Sequence, residues 1–214
     1  MRNFVRNIIK MVCFPALLSS AGCAYIDKNI CLDYKERSVP HRATYHSIKV
    51  SMGEFGYGRN REIGCVRDIF GLESAKVRAS NDLGEWLKNA VAEELKGAGC
   101  EIVESGEPKV FGSVEYLYID MKERYKTEIA VRIGINDLGS QRYINFAEES
   151  VETSGKFGFD SEYRFAANIA LREVLSEKVV PDVVDYLEVF YKLKTPGLRR
   201  ELEGQKEMLA RTEP

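Results

Sequence analysis

The sequence predicts an α+β fold, an antiparallel or mixed sheet with two amphipathic helices packed on one face. Two segments repeat their apolar residues with the helical period, and several others alternate with the period of a strand. Three of the extended segments follow one another across short turns, which is typical of an antiparallel meander. The composition, 44% hydrophobic and 10% aromatic, suffices for an ordinary core.

The first 22 residues predict an export signal rather than part of the fold. Arg2, Arg6 and Lys10 form a cationic start, residues 11–18 are apolar, and small residues fill positions 19–22. Because a membrane-spanning helix needs about 20 apolar residues, this run is too short to remain as a transmembrane segment.

The residue after this segment, Cys23, is predicted to carry a lipid. The stretch Ser20-Ala21-Gly22-Cys23 resembles the lipobox of bacterial lipoproteins. The resemblance implies cleavage before Cys23, a diacylglyceryl thioether and an added N-acyl chain, and several acyl chains anchor a protein durably. In enterobacterial lipoproteins an Asp in the next position favours the inner membrane, so with Ala24 there the resemblance implies the periplasmic face of the outer membrane, with the inner membrane as an alternative. The alternatives are ordinary secretion with a chance thiol, and an N-terminal buried helix in a cytosolic protein.

Four regions follow from these boundaries. Residues 1–22 are the signal peptide, 23–44 a lipidated tether, 45–192 the α+β domain and 193–214 a charged C-terminal tail. The signal carries three of the 31 basic residues, so the remaining chain has 28 basic against 33 acidic side chains, a net charge of about −5. This balance excludes the basic footprint of a nucleic-acid-binding protein.

The domain begins with an alternating segment at residues 45–52, which predicts a half-buried strand. Residues 53–79 are dense in glycine and charge, and we predict one long loop there. A helix follows, with Asp82 among its capping candidates and Gly97-Ala98-Gly99 as its stop. Trp86 lies on its apolar face and is predicted to be a core residue.

The middle of the chain predicts four strands. They cover residues 100–103, 109–121, 128–136 and 142–153, the last three forming the meander. The segment 128–136 has the clearest alternation, with four β-branched residues on one face that we expect to support both helices. These residues are Ile129, Val131, Ile133 and Ile135.

A long helix is predicted from Asp160 or Ser161 onward. Its apolar stripe includes Phe165, Ile169 and Val174. Pro181 falls inside this stripe and is expected to kink the helix or divide it into two, because proline cannot continue the helical hydrogen-bond ladder.

The cysteines leave two interpretations open. Cys31 and Cys65 lie in polar surroundings and are a possible disulfide, whereas Cys100 precedes an apolar run and is predicted to be buried and reduced. Three reduced thiols are the alternative. A zinc site that joins Cys31 and Cys65 to His41 and His46 lacks the close ligand pairs of known zinc patterns, so we predict no metal site.

One cluster in the predicted 53–79 loop is a possible partner-binding site. Tyr57, Arg59, Arg61 and Arg67 combine an aromatic side chain with cations, which suits a partner protein or an anionic headgroup. A solvated loop is the alternative.

No residues predict catalysis or a cofactor. The two histidines, His41 and His46, precede the first clear strand, and a nucleophile usually needs a base beside it. The adjacent pair Glu148-Glu149 cannot form an acid–base couple on a strand, since neighbouring side chains point to opposite faces.

The stretch from Asp82 to about Leu187 resembles the YajG-like family of bacterial lipoproteins and the broader group of auxiliary lipoproteins of envelope transport systems. The residues that carry the resemblance are Glu85-Trp86-Leu87 and Glu94-Leu95 followed by Gly97. The resemblance implies a non-enzymatic accessory or binding component, with the membrane and an envelope protein as partners and no nucleic acid. The alternative function is a carrier of lipid or another hydrophobic ligand in a groove between helices and sheet.

Overall fold

A computed structural model describes residues 27–34, 48–58, 61–67, 70–121, 124–137, 140–153 and 160–194. Over these ranges the chain forms one mixed sheet with helices packed on one face, which confirms the predicted α+β class. The predicted signal peptide and most of the charged tail lie outside the described residues.

The described ranges contain eight strands, which share a single branched sheet. They are β1 (Lys28–Ile30), β2 (Lys49–Tyr57), β3 (Glu62–Arg67), β4 (Glu73–Ala79), β5 (Glu101–Val103), β6 (Lys109–Met121), β7 (Tyr125–Asp137) and β8 (Ser140–Thr153).

Strand β6 organises the sheet. One of its sides pairs with β7 along the whole strand, antiparallel, and β7 pairs in turn with β8. The other side pairs in parallel with β2 over its first half and with β3 over its second half. Beyond these, β4 joins β3, β1 joins β4 and β5 joins β2. The sheet therefore branches at β6 and curls.

The predicted loop at residues 53–79 is wrong. β2 continues to Tyr57, and the rest forms the hairpin of β3 and β4. In β4 the buried residues are small and alternate with Lys76 and Arg78, so its hydropathy is low although its period is two. Gly64 is a packing residue of β3, because a Cβ there would lie 2.2 Å from the carbonyl oxygen of Ile119.

The tether boundary also differs from the prediction. Residues 28–30 form β1, and Ile30 and Leu32 are buried in the core. A three-residue strand is too short to display a period, so its burial follows from pairing with β4 and could not be seen in the sequence.

The predicted meander is confirmed. β6, β7 and β8 match the predicted segments, and β7 begins three residues earlier than expected. The four β-branched residues of β7 are 0–1% exposed. They face mainly the C-terminal helix, because helix α1 (Leu83–Gly97) packs on β2, β5 and β6 instead.

Helix α1 begins as predicted. The Asp82 carboxylate accepts hydrogen bonds from the backbone N–H groups of Gly84 and Glu85 at 2.7 and 3.2 Å, which caps the first turn. Trp86 is 2% exposed and donates to the side-chain oxygen of Asn168 at 3.2 Å, which confirms its place in the core.

The C-terminal helix is interrupted near the proline. It comprises α2 (Asp160–Val174), a π-helical turn (Leu175–Val179) and α3 (Val180–Lys194). In a regular α-helix the ring of Pro181 would clash with the carbonyl of residue 177. The wider π-turn, in which the Val180 N–H donates to the Leu175 carbonyl, ends two residues before the proline and accommodates it.

The prediction is wrong for one residue of the apolar stripe. Phe165 is 51% exposed, whereas Tyr163, Ala166 and Ala170 are fully buried. The buried face is thus rotated toward small residues, which allow the helix to approach the sheet closely.

Candidate functional site

The meander has two chemically different faces. Ile129, Val131 and Ile133 point toward the C-terminal helix, so Ala130 and Arg132 point away from it. We call the surface on that opposite side of β6, β7 and β8 the outer face. Its residues come together through register, since Ala130 pairs with Glu148 and Arg132 with Phe146.

A depression of about 740 Å³ lies on the outer face. Four acidic side chains and one basic side chain line it, and three of the carboxylates form ion pairs: Glu115 with Arg132, Glu128 with Lys126 and Glu149 with Lys178. With these three cations counted, the local net charge is 3 − 4 = −1. Its charged and aromatic lining residues are Glu115, Tyr116, Glu128, Arg132, Phe146, Glu148 and Glu149. The surface is therefore amphipathic and weakly acidic.

Arg132 lines this depression. Its Nε is 3.4 Å from Glu115 Oε1, and its guanidinium carbon is 5.7 Å from the centre of the Phe146 ring. The Ser113 hydroxyl donates to the same Glu115 oxygen at 2.6 Å. Phe146 is nevertheless 52% exposed, so an aromatic surface remains available beside the charged pair.

Strand β8 forms an open edge next to the depression. Among the described strands it pairs with β7 alone, and it is 14 residues long. The carbonyl of Glu148 points to the free side, where Lys178 Nζ donates to it at 2.5 Å. Lys178 also lies 2.9 Å from the Glu149 carboxylate, and its hydrogen bond lowers the pKa of that carboxyl group.

A polar network lies where β3 meets β6. Tyr118 donates to Cys65 Sγ at 3.1 Å, and Arg67 Nε contacts both carboxylate oxygens of Asp120 at 2.7 and 2.9 Å. Burial is the main cause that raises the pKa of the Cys65 thiol. A nucleophilic cysteine needs the opposite shift, so this network favours a structural role.

The predicted partner-binding cluster is not brought together. Arg59 lies outside the described residues, and Arg61 is exposed just before β3. Tyr57, at the end of β2, packs against the core, and Arg67 lies at the far end of β3 in its ion pair with Asp120. Two ends of a strand cannot form one patch.

The predicted Cys31–Cys65 disulfide is wrong in this structure, where both thiols are free. Cys31 follows β1 and Cys65 lies within β3, and β4 runs between these strands. Two strand spacings amount to about 10 Å, which exceeds the Cα separation that a disulfide spans. Cys100 is buried and free as predicted, and burial raises its pKa to about 11. The lipidation residue, Cys23, lies outside the described residues.

Two further observations concern the described part of the chain only. No group of three or more His, Cys, Asp or Glu side chains there is arranged to hold a metal ion. None of the helices in it combines the length and hydropathy needed to cross a membrane.

Sequence reasoning missed most residues of the depression. The alternation in β6, β7 and β8 places Tyr116, Arg132 and Phe146 opposite the buried positions, and this is the signal that could have identified them. Their proximity depends on register, which the sequence does not display.

Comparison with known proteins identifies the fold alone. No family model matches the chain, and no curated protein is similar to it in sequence. A Xanthomonas campestris protein of family DUF330 has a similar crystal structure, with a TM-score of 0.50, 14% identity, and coverage of 77% of this chain and 98% of that one.

Two other solved structures are more distant. A hypothetical protein of Chlamydia trachomatis has a TM-score of 0.42 and 10% identity over 65% of this chain and 96% of that one. The PelC dodecamer of Paraburkholderia phytofirmans has a TM-score of 0.37 and 15% identity over 64% and 92%. These scores are too low to support an argument about function.

Proposed function

We propose that this chain is a lipoprotein anchored through Cys23 to the periplasmic face of the outer membrane. It acts there as a non-enzymatic accessory or binding component of an envelope transport or assembly system. We also propose that it is a YajG-like lipoprotein. One observation carries the binding role: the acidic, aromatic depression adjoins the open edge of β8.

An extended segment of a partner protein fits this arrangement. A strand added to β8 gains backbone hydrogen bonds at the free edge, while its side chains reach the depression. Because the Glu148 carbonyl points to the free side, alternate residues of β8 on either side of it offer their backbone groups there as well. The net negative lining favours a partner with basic side chains.

Pairing of β8 with a second copy of itself is less favourable. An antiparallel pair centred on Ser150 would place Glu148 opposite Glu152 in both directions, and like charges in that position repel. In this register the edge disfavours its own copy, whereas a cationic strand would pair there without that repulsion.

The alternative function, a carrier of hydrophobic ligands between helices and sheet, has less support. The described side chains in that space form one continuous core, with Leu87, Ile133 and Leu171 all 0% exposed. A ligand would have to displace this packing.

Crosslinking in intact cells tests the proposal. A photo-crosslinking amino acid at Phe146 should give one stoichiometric adduct with an envelope protein, and Glu148→Lys should lower the yield. Phe165, similarly exposed but on helix α2, provides the matched control and should give no adduct. Equal adducts at both positions, or an adduct that Glu148→Lys leaves unchanged, would contradict the assigned surface.

A further inference from the structure

The turn that joins β3 to β4 presents two strongly exposed apolar side chains. Phe70 is 81% exposed and Leu72 is 66% exposed, the highest values among the large exposed hydrophobic side chains of the described residues. Exposed apolar residues are common singly, whereas two of them within three residues form a small apolar surface that a membrane or a partner could cover.

The N-terminal strand shows from which end the chain enters the sheet. β1 is parallel to β4, with Lys28 beside Val77. The Asp27 carboxylate accepts a hydrogen bond from the backbone N–H of Lys76 at 3.0 Å and pairs with Arg78 at 3.0 Å. Because the strands are parallel, the chain enters β1 from the end at which β4 begins, and this end carries the turn.

The chain lengths allow the turn and the lipid to lie at similar heights. Cys23 precedes Asp27 by four residues, which span at most about 14 Å. Leu72 precedes Lys76 by four residues, which rise about 13 Å in extended backbone. Acyl chains on Cys23 would hold that cysteine at the membrane interface, and a tether of this length lets the turn reach the same interface.

We propose that the β3–β4 turn inserts Phe70 and Leu72 into the interfacial layer of the membrane in which Cys23 is anchored. The inference rests on the lipid anchor of the proposed function. The interfacial layer is about 5–8 Å thick on each side of the hydrocarbon, enough to receive two side chains of a turn. Aromatic and aliphatic side chains that accompany a lipid anchor supply the second attachment that fixes orientation.

Two charged side chains at this end can remain among the lipid headgroups. Glu73 follows the turn and is exposed, and Arg124 lies on the β6–β7 turn with its side chain 70% exposed. The β6–β7 turn is at the same end because Val66 of β3 pairs with Met121. Both charges remain within reach of water among the headgroups. The strands then stand upright, and the open edge of β8 faces sideways toward a partner in the periplasm.

Tryptophan quenching by brominated lipid tests this contact. The lipidated mature protein carrying Phe70→Trp is reconstituted into phosphatidylcholine vesicles with or without bromine on the acyl chains. Trp86 is buried in the core and gives a constant background. The matched control is Val189→Trp. Val189 is 55% exposed on α3, and it lies about 40 Å along the C-terminal helix from the first residue of that helix, Asp160.

The expected result is an emission shift to shorter wavelength and a loss of intensity in brominated vesicles for Phe70→Trp, with no change for Val189→Trp. Protein that floats with the vesicles but shows no quenching at position 70 overturns the inference, even if its emission shifts, since another protein copy would then cover the turn. Protein that fails to float lacks the lipid anchor, and the proposed anchoring and this inference both fail.

Discussion

Burial decides what the three described thiols can do. Cys31 is exposed, whereas Cys65 and Cys100 are 1% and 6% exposed and burial raises the pKa of both thiols. At neutral pH the two buried groups are protonated and unreactive. We expect a thiol reagent to modify Cys31 alone in the native mature protein and all three thiols in denaturant without reductant. A single reactive thiol in the denatured chain would instead show that two of the three cysteines form a disulfide.

Two neighbouring residues of β7 should differ strongly in their contribution to stability. Ile133 is 0% exposed, so Ile133→Ala removes buried surface and leaves a cavity, at a cost of about 2–5 kcal/mol. Arg132 lies on the outer face in an exposed ion pair, and Arg132→Ala should cost within about 0.5 kcal/mol. Chemical denaturation of soluble protein that starts after Cys23 measures the free energy of unfolding of both variants. Equal losses would mean that the strand is buried on both faces.

At the scale of the element, one glycine sets how closely helix α1 approaches the sheet. A Cβ at Gly84 would lie 2.4 Å from the carbonyl oxygen of Phe55 in β2. Gly84→Ala improves helix propensity by at most about 1 kcal/mol. Forcing the helix away from β2 costs about 1–3 kcal/mol, so we expect a net destabilisation.

The matched control for this substitution lies in the same helix. Asn89 is exposed, and Asn89→Ala should leave the free energy of unfolding unchanged or slightly higher. If Gly84→Ala were as stable as Asn89→Ala, the close approach of α1 and β2 would not constrain the packing. Denaturant unfolding monitored by the emission of Trp86, also in α1, reports on both variants.

At the scale of the whole molecule, the prediction concerns attachment to the membrane. Cys23→Ser removes the thiol that the lipid would modify, so the full-length protein should retain its signal and incorporate no labelled palmitate. Metabolic labelling and the apparent mass of the protein measure this change. A Cys23→Ser protein that is labelled and shortened like the wild type would exclude the lipoprotein interpretation. Cys31→Ser is the control and should be labelled normally, because Cys31 lies beyond the predicted anchor.

Local sequence patterns suffice to predict the best-defined helix and strand of this chain. Helix α1 has an apolar face, a capping aspartate and a glycine stop, and the four β-branched residues of β7 alternate without interruption. These features depend on residues within one or two turns or along one strand, so they are visible without any tertiary contact. The α+β class and the meander follow from them.

The strand order and the candidate site depend instead on contacts between distant residues. β3 is a strand because Gly64 pairs beside Ile119, and a short, charged β4 is buried only between β3 and β1. The depression exists because the β7–β8 register places Phe146 beside Arg132 and because β8 remains at an edge. Hydrogen bonding between strands far apart in the chain costs loop entropy and is selected by the fold as a whole, so no local pattern encodes it.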